Sequence, residues 1–512
     1  MIILTTLSLA LARPSPHQEK LVPLPFHPSS KSGNYTSPDV TVYGYHPYWG
    51  GDPLDVDLSP LTHIAIFDVG MDSSGNINGT SYWNSVAGDL VTKAHSMGVK
   101  VHLCLTSFSD SVNNTVLPSA SKRATAVSQL ANLVNSYGAD GVNVDIEGMD
   151  ASQRNNLNLF TAELAAAVPE VFLATPAVDW SSAYDYATLA SISDGLFIMG
   201  YDYHWSGGNP GPVDPLYGGS PWSQWSLDWT VQDYLSKGAP PDKIILGLPL
   251  YGRRWDTPNS NVPGTANGSS SSATFTNAIV EASQNGSLFD SVTRTPYVLY
   301  PYEQLWYGDI ESVRERIRYA NGQNLQGIGF WALSYENGID GFWDMVNAET
   351  VIPGSGDDTG TTDTGELSDS GQTDDTATDT GIPDTSNPNQ APIANAGSDR
   401  SITVGQVLTL SGSQSSDPDG DPIQFSWRQL SGPAANIVDA TTATPEVSFS
   451  EAGSAEFELS VYDGSQYATP DLMKITIIEN SKEGTSCQSF PFWIPLWLSP
   501  LCLLRRRSKN PL

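Results

Sequence analysis

The sequence of 512 residues has few cysteines and few basic side chains, and both shortages exclude functions. Its three cysteines, Cys104, Cys487 and Cys502, form neither a disulfide framework nor a zinc-ligand spacing. Cys104 lies in the apolar run VKVHLCL, which predicts a buried, unreactive thiol. With 24 basic against 56 acidic residues, the net charge of −32 would repel a phosphate backbone, so no binding to nucleic acid is expected. The chain also lacks a G-x-x-x-x-G-K-S/T phosphate loop and an H-E-x-x-H zinc motif.

Composition divides the chain into six segments. Residues 1–12 form an apolar run ending in Ala10-Leu11-Ala12, which favours a cleaved export signal over an N-terminal strand because a polar, proline-rich stretch follows at once. The remaining segments are a flexible stretch at 13–38, the main domain at 39–350, an acidic disordered linker at 351–390, a small all-β module at 391–479 and a tail at 480–512. We therefore expect a protein that is secreted or held at the cell surface.

The main domain alternates short β-rich runs with longer periodic stretches. Stretches such as WNSVAGDLVTKAHSMG and IESVRERIRYANGQ close near a glycine or asparagine, as helices do. The candidate strands are Thr41–Tyr45, His63–Asp68, Val99–Leu105, Gly141–Ile146, Val171–Thr175, Gly195–Met199, Lys243–Leu248 and Gly327–Trp331. Eight strands alternating with helices predict an α/β fold, a (β/α)8 TIM barrel, with a doubly wound sheet as the alternative. The Ser- and Asn-rich stretch Asp256–Tyr300 predicts a small insertion before the last strand.

The C-terminal part predicts a β-sandwich and then an apolar tail. SSDPDGDPIQFSWRQLSGP and FELSVYDG resemble the PKD-like, immunoglobulin-type repeats of secreted bacterial enzymes. The run DPDGD is interpreted as a tight acidic turn, with calcium binding as the alternative. The segment SFPFWIPLWLSPLCLL, followed by Arg505–Arg507, resembles bacterial C-terminal sorting tails and predicts envelope attachment. Its marginal length and three prolines leave chance hydrophobicity as the alternative.

The most informative stretch runs from Asp140 to Glu147, with the sequence DGVNVDIE. Alternate side chains of a strand share a face, so Asn143, Asp145 and Glu147 point into the barrel, and Glu147 lies last, at the mouth. Asp145 and Glu147 stand roughly 6–7 Å apart along the strand. Ionising both in a partly dry cavity is unfavourable, so one carboxyl should keep its proton near neutral pH, as a general acid requires. A solvated edge strand is the alternative, but a buried acidic set needs a purpose.

This stretch resembles the D-G-x-D/N-x-D-x-E signature of glycoside hydrolase family 18, and the resemblance extends over residues 41–345. Met199-Gly-Tyr201-Asp202 is similar to the family's M-x-Y-D motif on strand six. Four further positions resemble strand ends of the same family: Tyr251 and Arg253 in KIILGLPLYGRR, Trp331 in GFW, and Tyr45 in GYHPYWG, with Trp49 as a further candidate near the subsite walls.

The resemblance implies a retaining, substrate-assisted glycosidase acting on β-1,4-linked N-acetylglucosamine polymers, without metal or organic cofactor. Glu147 would protonate the glycosidic oxygen and later serve as base for water. The substrate's own 2-acetamido carbonyl would attack the anomeric carbon. Support for the catalysis is assigned to Asp145, Tyr201 and Asn143, and contact with the sugar to Trp331, Met199, Asp202, Tyr251, Arg253, Tyr45 and Trp205.

Two departures from the family pattern bear on the substrate. Asn143 cannot share a proton with Asp145 as an aspartate could, so the pH profile is expected to differ. Strand three ends LCLTSFSD where chitinases usually show S-x-G-G. This end and MGYDYHWSGGNPGPVDP look more like bacterial members that act on spore cortex or on short N-acetylglucosamine chains.

Other features leave alternatives open. Trp222, Trp225 and Trp229 follow helical spacing, which favours a helix packed on the barrel over a sugar platform, and makes Trp205 the better substrate contact. A non-catalytic lectin with the same cleft is an alternative, although such proteins typically lose the residue equivalent to Glu147. A surface adhesin of spaced modules is another. If the sandwich is only an accessory, a chain without residues 391–512 should still hydrolyse soluble oligomers. The expected partner is an N-acetylglucosamine polysaccharide, bound by a monomer.

Overall fold

The computed structural model describes residues 35, 37–351, 390–433, 435–463 and 468–479. The predicted export signal and C-terminal tail lie outside these residues, as does the linker except at its two ends. Within the described ranges, every helix is too short or too polar to cross a bilayer.

The main domain is a closed barrel of eight parallel strands. The first strand pairs with the second and also with the last, so the sheet closes on itself and the doubly wound alternative is excluded. All eight predicted strands are present, three with the predicted bounds. The barrel strands are β1 (Thr41–Pro47), β2 (His63–Met71), β4 (Lys100–Ser107), β5 (Gly141–Ile146), β6 (Glu170–Pro176), β7 (Gly195–Met199), β8 (Ile244–Pro249) and β14 (Gly327–Trp331), and a short β3 (Ile77–Asn78) pairs with the end of β2.

Helices cover the outside of the barrel. In α3 (Ala120–Tyr137), Ala126, Leu130 and Val134 recur every four residues and are buried, which contributes about 1.5–3 kcal/mol for each large apolar side chain. The helix ends where Gly138 adopts the left-handed φ of 68°. The others are α1 (Ser81–Ser96), α2 (Asp110–Val116), α4 (Arg154–Ala165), α5 (Tyr186–Ile192), α6 (Leu227–Ser236), α8 (Ile310–Gly322) and α9 (Phe342–Thr350), with 3₁₀ turns at Pro53–Asp55, Ala151–Gln153 and Pro241–Lys243. A further helix, α7 (Phe275–Asn285), belongs to the insertion between the last two barrel strands.

The tryptophan-rich stretch before α6 differs from its prediction. Trp222 and Trp225 precede the helix, and only Trp229 lies on it. The helix starts late because the Ser226 side chain accepts a hydrogen bond from the Trp229 backbone amide at 3.2 Å, which caps the first turn. The three residues therefore do not form one helical face.

An insertion between β8 and β14 forms its own antiparallel sheet, in the order β10-β9-β13-β12-β11. It begins earlier than predicted, because the chain leaves the barrel after Pro249 and Tyr251 starts a new strand. Tyr251 and Arg253 therefore lie on the insertion and not on a barrel strand. The strands are β9 (Tyr251–Asp256), β10 (Ser271–Thr274), β11 (Leu288–Asp290), β12 (Thr295–Leu299) and β13 (Glu303–Trp306).

The C-terminal module is all-β, as predicted, with a four-stranded and a three-stranded sheet around Trp427, Phe457 and Val461. The run DPDGD forms a turn in which the Asp417 carboxylate accepts the backbone amides of Asp419 and Asp421. The strands are β15 (Arg400–Thr403), β16 (Val407–Thr409), β17 (Gln424–Ser431), β18 (Ala435–Val438), β19 (Glu446–Phe449), β20 (Gly453–Tyr462) and β21 (Asp471–Ile478).

Candidate active site

Glu147 stands at the carboxyl end of β5, at the mouth of the barrel. Its backbone amide donates to the Ser107 carbonyl at 3.0 Å, and the Asn113 side-chain amide donates to its carbonyl at 2.7 Å. Asn113 lies on α2, and its Oδ1 accepts the Ser107 hydroxyl at 2.6 Å. Glu147 is thus partly exposed on a backbone fixed from both sides, while Asn143 and Asp145 are wholly buried behind it.

Asp145 has the electrostatic environment of a carboxyl that keeps its proton. Burial, and then the carboxylate of Asp68, raise its pKa well above the usual range, whereas a side-chain hydrogen bond with Glu147 opposes the shift. Asp68 comes from β2, and its Oδ2 accepts the Thr106 hydroxyl at 2.5 Å. The side chains of Asp68, Asp145 and Glu147 therefore lie close together. Carboxyl groups that are close together in unlike surroundings have different pKa values, so that one can act as an acid and another as a base.

Asn143 is held from the opposite wall of the barrel. Its Oδ1 accepts the Tyr45 hydroxyl at 2.9 Å, and the Cys104 thiol lies 3.6 Å from the same oxygen. Tyr45 is fully buried and its pKa is raised by burial, so its hydroxyl remains a donor. The structure thus places Tyr45 in the interior, where it orients Asn143, and not on an outer wall of the cleft. Cys104 is buried, as predicted.

Tyr201 and Asp202 follow the end of β7 and face the same region. Burial, then the carboxylates of Asp145, Glu147 and Asp202, raise the pKa of the Tyr201 hydroxyl, so it is retained as a donor. Asp202 adopts a left-handed φ of 58°. Both of its oxygens are bound by Arg253, at 2.9 and 2.7 Å, and Oδ1 also accepts the Tyr251 hydroxyl at 2.8 Å. The insertion thus fixes the residue that follows Tyr201.

Trp331, at the end of β14, lies among other aromatic rings. Edge-to-face contacts join it to Phe67 at 4.8 Å, to Tyr45 at 5.6 Å and to Trp49 at 6.3 Å between ring centroids. The Trp49 indole in turn donates to the Tyr335 hydroxyl at 2.9 Å. These contacts fix the plane of the Trp331 ring at the same end of the barrel as Glu147.

A cavity of about 140 Å³ opens beside Glu147. Met199, Tyr201, Asp202 and Trp205 line it together with Trp180 from the loop after β6. Gly207 and Gly208 make room for the Trp205 ring, since a Cβ on Gly207 would stand 2.5 Å from it. Trp180 is 58% exposed, and Trp225 supports it with a centroid distance of 5.0 Å. The cavity thus combines an acid with exposed aromatic surface, which suits a sugar ring.

Four residues of this region escaped the sequence analysis: Asp68, Asn113, Trp180 and Tyr184. The Tyr184 hydroxyl donates to the Ile146 carbonyl at 2.8 Å, directly before Glu147. Asp68 had one sequence signal, an acidic residue at the end of the apolar run HIAIF. Trp180 had another, its position just past the fifth barrel strand.

At the other end of the barrel, His63, His102 and Glu170 form the only group in the described ranges with the proximity of metal ligands. Both imidazole Nε2 atoms contact one Glu170 oxygen, at 3.3 and 3.1 Å, and Lys100 pairs with the other. Although burial opposes it, the hydrogen bonds from His102, His63 and Lys100 hold the Glu170 pKa well below its usual range. Burial lowers the pKa of His102, so we interpret this cluster as a hydrogen-bonded network around the Lys100–Glu170 ion pair that closes the barrel floor.

Comparison with known proteins agrees with this geometry. Residues 41–336 match the model of the Glycosyl hydrolases family 18, and residues 396–477 match a PKD domain model. The cortical fragment-lytic enzyme of Bacillus subtilis is 26% identical over 245 residues, or 44% of this chain and 54% of that protein. The di-N-acetylchitobiase of Homo sapiens is 25% identical over 323 residues, or 53% of this chain and 79% of that protein.

Solved structures show the same fold. A Group IV chitinase of Ostrinia furnacalis in complex with allosamidin superposes with a TM-score of 0.56 at 19% identity, over 60% of this chain and 98% of that one. A chitinase of Cycas revoluta in complex with (GlcNAc)3 gives a TM-score of 0.55 at 20% identity, over 60% and 99%. The chain spans 42 to 54% of the length of the first curated relatives it matches.

Proposed function

The chain belongs to glycosyl hydrolase family 18, and on this premise we propose that it hydrolyses β-1,4-linked N-acetylglucosamine polymers, chitin or its oligosaccharides, with Glu147 as the catalytic acid. The observation that carries the proposal is the pairing of Glu147, partly exposed in a cavity, with Asp145, buried and with a raised pKa. Two adjacent carboxyl groups in such unlike environments can hold one proton between them and release it at one side.

The proposed reaction needs no group beyond the substrate and this chain. Glu147 donates its proton to the glycosidic oxygen while the substrate's acetamido carbonyl oxygen attacks the anomeric carbon and the glycosidic bond breaks. The resulting oxazolinium ion is opened by water, whose proton returns to Glu147. Two inversions at the anomeric carbon give net retention.

Asp145 completes the proton balance. Before a substrate binds, Asp145 holds the proton that it shares with Glu147, because its pKa is raised. Once that proton moves to Glu147 for transfer, the ionised Asp145 can accept the acetamido N–H and offset the positive charge on the ring. Tyr201, whose hydroxyl stays protonated, can donate to the acetamido oxygen. Trp331 is proposed as the aromatic floor beneath the sugar, although only 1% of its own surface is exposed.

The arrangement of Asp202 restricts its role. Arg253 and Tyr251 already bind both of its carboxylate oxygens, so its contribution is to fix the backbone next to Tyr201. Met199 and Trp205 line the cavity wall and are the proposed sugar contacts on that side, together with Trp180.

A second candidate substrate is the glycan of peptidoglycan in spore cortex. Cortical fragment-lytic enzymes of three Bacillus species are among the relatives, at 23 to 26% identity. The carboxyl end of β4 also departs from the S-x-G-G pattern usual in chitinases: the Thr106 and Ser107 hydroxyls there donate to Asp68 and Asn113. Secretion or display at the cell surface, with the tail at 480–512 as the attachment, remains part of the proposal.

Release of reducing ends from chitin oligomers tests the activity. We expect the wild type to turn over with retention, and the Glu147→Gln variant to bind the same oligomers without cleaving them. Equal inertness of both, with binding intact, would instead identify a lectin. Product analysis on spore-cortex peptidoglycan in parallel separates the two substrates, since the preferred one should give the higher kcat/KM.

A further inference from the structure

The insertion and the C-terminal module meet through four charged side chains, two of each sign. Arg294, between β11 and β12, binds both oxygens of Glu458 on β20 at 2.7 Å each. It also binds both oxygens of Glu315 on α8, at 3.0 and 2.8 Å. Arg428 of β17 pairs with the same Glu315 at 2.9 Å. Each arginine thus links the barrel domain to the module.

This charge cluster is shielded from water. The Arg294 and Glu458 side chains are 13% and 7% exposed, and the Arg428 guanidinium lies 3.9 Å from the centre of the Phe289 ring. Exposed ion pairs contribute little to stability, but bidentate pairs with this degree of burial lose much more when one partner is removed. A second contact, Arg318 over the Tyr462 ring at 4.9 Å, extends the same face.

The backbone at Arg294 is itself strained. Its φ of 55° lies in the left-handed region, which is unfavourable for a residue with a side chain. Such a conformation persists where the surrounding contacts determine it, and here those contacts are Glu315 on one side and Glu458 of the module on the other.

From Arg294 the contacts continue to the cavity beside Glu147. The Arg316 guanidinium donates a hydrogen bond to the Arg294 carbonyl at 3.0 Å. Arg316 also forms a buried ion pair with Asp214 at 2.6 Å. The Val213 carbonyl next to Asp214 accepts the amide of Tyr203 at 3.0 Å, and Tyr203 lines the cavity. In parallel, the Thr293 carbonyl accepts the amide of Leu216 at 2.9 Å.

We infer that the C-terminal module, residues 390–479, is a docked part of the catalytic unit, and that its Glu458 holds the segment 290–294 and through it the cleft loop 201–205. The module is therefore more than a separate domain on a tether. Glu458 is a positioning residue, acting through Arg294 on the loop that carries Tyr201 and Trp205. The kinetic part of this inference rests on the proposed function, whereas the docking itself does not.

Hydrogen exchange on the full-length protein tests both parts without requiring activity. The variant is Glu458→Gln, and the matched control is Glu446→Gln, an exposed glutamate on β19 of the same module. We expect exchange at residues 290–294 and 201–205 to be at least about fivefold faster in Glu458→Gln than in wild type, with no change in the control. Unchanged exchange around Phe457 and Val461 would show that the variant module is still folded.

Small-angle scattering and kinetics complete the test. In the wild type the barrel domain and the module should scatter as two bodies in one fixed arrangement, and Glu458→Gln should raise KM for oligomers several-fold more than it lowers kcat. Scattering from two separately moving bodies, or exchange that is identical in all three proteins, would overturn the docking. Faster exchange at 290–294 with an unaltered loop 201–205 would refute the positioning role. A wild type that lacks hydrolytic activity but shows the exchange difference would refute only the proposed function.

Discussion

Replacing Arg253 by methionine should destabilise the fold and the active site together. Arg253 is 1% exposed and binds both oxygens of Asp202, whose side chain is 10% exposed. Two unit charges about 4 Å apart at an effective dielectric constant near 20 attract by about 4 kcal/mol. Methionine fills similar space but leaves the Asp202 carboxylate without its counter-charge. The expected loss in the free energy of unfolding is therefore about 3–5 kcal/mol.

The assay is urea unfolding at neutral pH, combined with kcat/KM on chitin oligomers. Asp202→Asn in the Arg253→Met background should recover part of the loss, because the stranded charge is then removed, and the coupling energy should be about 0.5–3 kcal/mol. Arg254→Met is the matched control: Arg254 is the next residue of β9, is 26% exposed and pairs with Glu281, so its loss should cost less than about 1 kcal/mol. Equal, small effects at both arginines, or additive effects of the double variant, would contradict the reasoning.

Three further variants test the site and the fold. Glu147→Gln should lower kcat by about 10²–10⁴-fold while oligomer binding, measured by calorimetry, persists; a comparable loss in Glu446→Gln would point to a general defect. Trp180→Ala should raise KM about two- to tenfold for chitin oligomers with little change in kcat, as expected for one lost stacking contact. Glu336 is 6% exposed, and burial raises its pKa to about 7. The folded state therefore favours the neutral carboxyl, so Glu336 contributes most to the free energy of unfolding below about pH 4.5 and loses this contribution as the pH rises to about 7. Relative to Glu336→Gln, the wild type should lose up to about 3 kcal/mol over that range in thermal unfolding, and a pH-independent difference would refute the buried ionisation.

The barrel was predictable because its signals are local. Each strand is a short apolar run bounded by polar turns, and the strands at Gly141–Ile146, Gly195–Met199 and Gly327–Trp331 kept their predicted bounds. The insertion was placed correctly but begun too late, because the apolar pattern runs on through KIILGLPLYGRR and only Pro249 marks where the chain leaves the barrel. Likewise, regular tryptophan spacing suggested one helix, and the capping side chain of Ser226 decided where it starts.

In the candidate site, too, local sequence patterns predict some residues and not others. Asn143, Asp145 and Glu147 lie on one strand, so alternation alone places them together. Asp68 approaches Asp145 because strand β2 lies beside β4, which lies beside β5. That proximity depends on the register of three strands, which no local pattern encodes. Trp180 is similar: its support by Trp225 joins two loops separated by 45 positions.

Asp68 also offsets the effect of asparagine at position 143 on the pKa of Asp145. At position 143 an aspartate could share a proton with Asp145 from the same strand, and the asparagine there removes one ionisable group from the barrel interior. The asparagine is instead bound by Tyr45, and the neighbouring carboxylate that raises the Asp145 pKa is Asp68, from a different strand. The barrel thus retains an acidic neighbour for Asp145, but one whose position depends on the Thr106 hydroxyl that binds it. Thr106 lies at the end of β4, where the sequence departs from the usual chitinase pattern, so both departures bear on Asp145: burial raises its pKa most, and the Asp68 carboxylate that Thr106 binds raises it further.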